Sequence, residues 1–113
     1  MTKCVLLLVG ATVAHGMVAG LVQSGYAVEY AKTGADAIDR LDRRNTPYDA
    51  MVISSDIERS EQRQLANRVN VLKMGERFPI ICLGKGIECT IGPEHCLVPE
   101  GELHRTLEAT LLA

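Results

Sequence analysis

Short, unbroken apolar runs alternate along this chain with longer stretches whose apolar residues recur every three or four positions, and that alternation limits the fold more than any other feature. Residues 3–9, 50–54 and 79–83 are apolar on both faces, as central strands are when helices cover both sides of a parallel sheet. Residues 27–31 and 96–98 predict two shorter strands. Helical stripes lie between and after them: Ala14, Met17, Val18, Leu21 and Val22, then Ala37, Ile38 and Leu41. Leu65, Val69 and Leu72 form the next, and Leu103, Leu107 and Leu111 the last. Strands alternating with helices are joined by right-handed crossovers into one parallel sheet, an α/β domain with helices on both faces.

Local signals mark the joints. Gly25 stops the first helix where a left-handed residue usually ends one. Thr33 or Gly34 opens the second, and Asn45, Thr46 and Pro47 close it. Asp56 and Ser60 are both candidate N-caps for the third, with Gly75 at its end. Residues 84–94 hold three glycines and one proline and sustain no helical period.

At 113 residues the chain fits a single domain spanning 1–113, either standing alone or as the N-terminal module of a longer protein. Its 47% hydrophobic and 23% charged residues match an ordinary globule. A formal charge of −2 gives no electrostatic footprint for direct nucleic-acid binding. No apolar run approaches the ~20 residues of a membrane span. Residues 1–3 lead straight into a strand with no secretory pattern, so a cytoplasmic location is expected. Cys4, Cys82 and Cys96 fall in strand runs, where a thiol packs as a small hydrophobe. Cys89, His95 and Cys96 lack the C-x-x-C spacing of a metal site, and disulfides are not expected in the cytosol.

The stretch Gly25-Tyr26-Ala27-Val28-Glu29-Tyr30-Ala31, then Gly34, Ala37-Ile38, Leu41 and Tyr48-Asp49, leads into strands at Ala50, Ile80 and Cys96. Taken together it resembles the response-regulator receiver domain over nearly the whole chain. The resemblance implies a flavodoxin-like three-layer sandwich on a five-stranded parallel sheet of order 2-1-3-4-5. A working receiver holds magnesium with two acids after its first strand and accepts a phosphoryl group on an aspartate ending the third. A Thr or Ser after the fourth strand and a Lys after the fifth complete the site. The dense negative pocket binds a hard cation through oxygens, and the lysine balances the phosphoryl charge.

In this sequence the acid positions align with Val9 and Gly10, the acceptor with Ser54, the hydroxyl with Gly84 and the lysine with Val98. No expected functional group survives. The pattern is that of a degenerate pseudo-receiver with no catalytic residue, metal or cofactor, regulating an output such as transcription through protein contact. A site shifted onto Asp56 and Lys85 would still lack the paired acids, and nothing nearby would activate the hydroxyl of Ser54 or Ser55.

Receivers carry a full fourth helix after the fourth strand. The roughly eleven residues from 84 to 94 cannot hold that helix and both its connections at ~1.5 Å rise per residue, so it is expected to be shortened or lost. Loss of the helix would uncover one flank of the sheet. Ile87, Ile91, Leu97 and Leu103 are therefore the candidate surface for another protein, an attached output domain or a second copy in a homodimer.

A rival interpretation takes Val9-Gly10-Ala11-Thr12 with Gly16 as the phosphate turn of a small Rossmann-like nucleotide-binding domain. Against it, Val13 stands where the middle glycine belongs, and no acid sits cleanly at the end of the second strand. His15 is expected to be a solvated residue near a helix start, since phosphotransfer histidines sit in four-helix bundles. Arg40, Arg43 and Arg44, interspersed with Asp39 and Asp42, suggest a solvated helix face.

Overall fold

A strand whose five residues are all buried must be paired on both edges and covered on both faces, and β1 (Cys4–Leu8) is such a strand. It pairs in parallel with β2 (Ala27–Ala31) on one side and β3 (Ala50–Ile53) on the other. β4 (Ile80–Gly84) adds in parallel to β3. The two-residue β5 (Thr90–Ile91) lies antiparallel on β6 (Cys96–Pro99), which itself runs parallel to β4. The computed structural model describes residues 3–9, 15–42, 48–73, 78–84, 90–91 and 96–111.

The five long strands thus follow the expected 2-1-3-4-5 order, with β6 as the fifth, and a short antiparallel strand extends the sheet beyond it. That extra strand is a departure from the all-parallel expectation. Two residues carry no periodicity, and an edge ladder of this length leaves no mark in the sequence. Most of the segment of the expected missing helix, including Ile87, lies outside the described residues.

Helices α1 (His15–Gln23) and α4 (Leu103–Leu111) cover one face, where Val5, Leu7, Val52, Ile81 and Val98 pack with Leu21, Leu103 and Leu107. Helices α2 (Gly34–Asp42) and α3 (Arg59–Leu72) cover the other, where Leu6, Leu8, Met51, Ile53 and Cys82 meet Ala37, Leu41, Leu65 and Val69. Alternate strand residues divide between the two clusters, as a pleated sheet requires.

Most joints form as read. Gly25 has φ 96°, and the Tyr26 N–H behind it donates back to the Leu21 carbonyl at 3.1 Å, closing α1 through a left-handed glycine. Thr33 caps α2, its hydroxyl accepting from the Asp36 N–H at 3.0 Å. Gly34 packs closely under α3: a Cβ there would lie 2.6 Å from Leu65 Cδ2 and would push that side chain aside.

Three expectations are corrected. Val22 is 55% exposed and leaves the α1 stripe, because helical rotation carries it past the sheet. Neither Asp56 nor Ser60 caps α3: Glu58 precedes it without a side-chain cap, and Ser60 is inside the helix. The entry is set by backbone bonds instead, Ile57 N–H to the Ser54 carbonyl at 3.2 Å and Gln62 N–H to the Glu58 carbonyl at 2.8 Å. Arg40 is held in a network described below. Gly75, Arg43 and Arg44 lie outside the described residues.

Candidate functional site

In a doubly wound sheet, ligands bind beyond the carboxyl ends of the strands, where the loops splay. Four of the five positions singled out in the sequence gather there, and Gly10 lies outside the described residues. Val9 follows β1, is buried in the core, and donates its N–H to the Ala31 carbonyl at 3.1 Å. Ser54 follows β3 and is 8% exposed. Gly84 ends β4 beside Pro99, and Val98 stands next to Leu83 with its side chain in the core.

Ser54 is fixed from every side. Its N–H donates to the Leu8 carbonyl at 2.9 Å, and its hydroxyl oxygen accepts from the Asp56 N–H at 3.3 Å. Its carbonyl accepts from Ile57 N–H and, at 3.0 Å, from Gln62 Nε2. The same Nε2 donates to the Leu83 carbonyl at 3.0 Å, so one amide of α3 ties the ends of β3 and β4 together.

Gln62 is 1% exposed and was not singled out from the sequence. The signal was nonetheless present. Gln62, Leu65, Ala66 and Val69 follow the i, i+3, i+4, i+7 spacing of a buried stripe, and a polar residue on that stripe must satisfy its bonds internally.

The chemistry available at the strand ends is correspondingly narrow. Val9 and Val98 offer hydrocarbon, Ser54 one hydroxyl, and a side chain at position 84 would meet Leu97 Cδ1 at 3.3 Å from its Cβ. No carboxylate stands at these described positions, so the donor set does not fit a hard divalent cation, which needs several oxygens. Among the described residues no group of three or more His, Cys, Asp or Glu is placed to hold a metal. Asp56 is exposed, while Lys85 and residues 10–14 of the glycine turn lie outside the described residues.

The surface expected at Ile87, Ile91, Leu97 and Leu103 comes apart. Leu103 is 1% exposed and packs in the core with Leu107 and Val98, because α4 turns it inward against the sheet. It is a core residue and presents nothing to a partner. Leu97 is half-buried and packs against the opposite cluster, and Ile91 contributes its backbone to β5.

A second set of polar contacts occupies the β2 edge. Arg40 reaches Glu29 at 3.3 Å and Asp36 at 3.2 Å, and the Tyr48 hydroxyl donates to Glu29 Oε1 at 2.8 Å. Burial first, then Glu29, pushes the Tyr48 hydroxyl up, and Arg40 partly offsets this. At the start of the sheet the Cys4 N–H donates to Asp49 Oδ2 at 2.8 Å while the Asp49 N–H returns to the Cys4 carbonyl at 2.7 Å. Burial, then Glu29 and Asp49, push the Cys4 thiol up as well. The Tyr48-Asp49 pair of the resemblance is thus a brace at the end of the sheet opposite the Ser54 site.

No protein-family model matches the chain, and neither does any curated protein. Solved structures do, among them two receiver domains. The receiver domain of a sensor histidine kinase from Pseudomonas aeruginosa, with a magnesium ion coordinated in its active-site cleft, is 19% identical. It matches at a TM-score of 0.73 over 100% of both chains. A CheY-like response-regulator receiver domain from Methylobacillus flagellatus is 16% identical, with a TM-score of 0.71 over 97% of this chain and 99% of that one. The chain has the receiver fold. No helix among its described residues is long and apolar enough to cross a membrane.

Proposed function

We propose that this chain is a pseudo-receiver, a signalling domain that accepts no phosphoryl group and regulates a partner or output, for example in transcription, by protein contact in the cytoplasm. The observation that supports it most is the state of the acceptor position. Ser54 is buried, and its carbonyl is tied through Gln62 to the end of β4, where a receiver needs an exposed carboxylate beside a bound cation. Val9, Gly84 and Val98 supply no acid, hydroxyl or amine around it. A serine hydroxyl with neither base nor metal beside it is a poor nucleophile.

Titration with magnesium and beryllofluoride, followed by amide chemical shifts, tests this. No saturable change at Val9, Ser54 or Gly84 is expected, and no label should transfer from small phosphodonors. Shifts that saturate and cluster on those three residues would overturn the reading.

A further inference from the structure

The ladder between β3 and β4 begins where the Met51 N–H donates to the Pro79 carbonyl at 3.0 Å, and it pairs Met51 with Ile80, Val52 with Ile81 and Ile53 with Cys82. Parallel rungs are evenly spaced and use every second residue. The donors therefore step through positions 51, 53 and 55 toward the carbonyls of 79, 81 and 83. At the third step the main chain has left the sheet, since β3 ends at Ile53, and the Leu83 carbonyl is met at 3.0 Å by Gln62 Nε2 instead. Both partners of this nitrogen are carbonyls, so the amide faces them with its NH2 and gives one hydrogen to each. The other partner, the Ser54 carbonyl, also accepts the Ile57 N–H, and the Ser54 N–H reaches the Leu8 carbonyl of β1. One side chain, 1% exposed, thus completes a run of bonds from the end of β1, through the turn at 54–57, to the end of β4.

We propose that Gln62 is a strap that couples this turn to the carboxyl end of β4, so that the two open as one unit and a displacement at either is passed to the other. Two carbonyls held by one planar amide cannot separate without breaking a buried hydrogen bond. Networks of this kind, fixed between packed elements, carry coupling across a fold. Both ends of the strap lie close to the surface. Asp56 and Glu58 of the turn are exposed, and Gly84 at the end of β4 is half-buried. The coupling belongs to the fold, so magnesium binding at Ser54 would overturn the pseudo-receiver assignment and leave this inference standing.

Amide hydrogen exchange of the full chain decides the matter. In the native chain the amides of Ser54, Ile57 and Leu83 should exchange through one opening, with protection within about threefold and the same dependence on denaturant. Gln62→Met keeps the length of the side chain and loses the donor. In that variant their protection should fall at least about tenfold relative to Val9, whose N–H bonds the Ala31 carbonyl at the same end of the sheet. Ser54 and Leu83 should then respond differently to denaturant.

Gly84→Ala supplies a readout that a merely structural role would not move. Its Cβ would lie 3.3 Å from Leu97 Cδ1, a local push at the end of β4. In the native background the push should shift the amide signals of Ser54 and Ile57, and in the Gln62→Met background those shifts should disappear. Independent opening of Ser54 and Leu83 in the native chain overturns the inference, a result that needs no variant to fold. So does a Gly84→Ala shift that reaches Ser54 equally in both backgrounds, or in neither.

Discussion

Side-chain hydrogen bonds concentrate in two regions, the carboxyl ends of β3 and β4 and the edge where β2 meets α2, and the two are built from opposite materials. At the strand ends the donor is a neutral amide, Gln62, and the acceptors are backbone carbonyls. Along the edge Glu29, Arg40 and Asp36 are ionic and partly exposed, with only Tyr48 neutral. Water and salt screen the edge, so its pairs add little individually. The buried amide is unscreened, and losing it removes a donor from two backbone carbonyls, of which that of Ser54 keeps the Ile57 N–H. The carboxyl ends of β3 and β4 are thus joined by a buried neutral amide, while the β2 edge is held by partly exposed charges.

The comparison is tested most severely at Gln62. Gln62→Leu should destabilise the domain by about 2 kcal/mol in denaturant unfolding, since it strips a donor from two buried carbonyls. Gln62→Glu should cost more at neutral pH, at least about 3 kcal/mol, because a buried carboxylate would face those same oxygens. Its folded pKa would be raised above the unfolded value, so the lost stability should return as the pH falls. Equal stability of the Glu variant at pH 5 and pH 8 would show that the site is wetter and less constrained than its burial indicates.

Cys82, two residues before Gly84, sharpens the contrast on the alkaline side. Burial pushes its thiol up to about 11, an effect that Arg59 partly offsets. The folded state holds this proton more tightly than the unfolded state, so its contribution is complete below about pH 9. It is then lost as the pH rises toward 11, on the order of 2 kcal/mol in all. Cys82→Ala should flatten that part of the stability–pH curve. Tyr48 and Cys4, also raised, should keep a residual slope of the same sign. An unchanged slope in the variant would move the alkaline sensitivity to the β2 edge.

The smallest effect is expected at that edge. Tyr48→Phe removes one hydrogen bond to a partly exposed carboxylate and should cost no more than about 1 kcal/mol, diminishing with salt. A loss as large as that of Gln62→Leu would abolish the distinction between the two regions.

The layered architecture was legible because it rests on period. The five long strands, the helix stop at Gly25 and the cap at Thr33 all follow from residue type and spacing. What spacing hides is the partner across the fold. Gln62 looks like one more polar residue on α3 until β3 and β4 bring two carbonyls to it. Leu103 looks equally ready for surface or core until α4 docks. That Ser54 stands where the resemblance leads to an acid could be seen in the residues. The bond its carbonyl accepts from a side chain eight residues downstream could not, because that contact depends on how α3 turns back over β3.

The central placement of β1 bears on synthesis as well as on the finished fold. The segment Cys-Val-Leu-Leu-Leu is made first among the strands, yet its second neighbour, β3, ends 45 residues after it at Ile53. At roughly 5–20 residues per second, a growing chain carries this apolar strand for several seconds before both flanks can be filled. During that interval it is the kind of short, uncharged, β-prone segment that associates with other chains. A nascent polypeptide of this kind should therefore depend on chaperones most strongly before β3 is complete, and much less once Ile53 has joined the ladder.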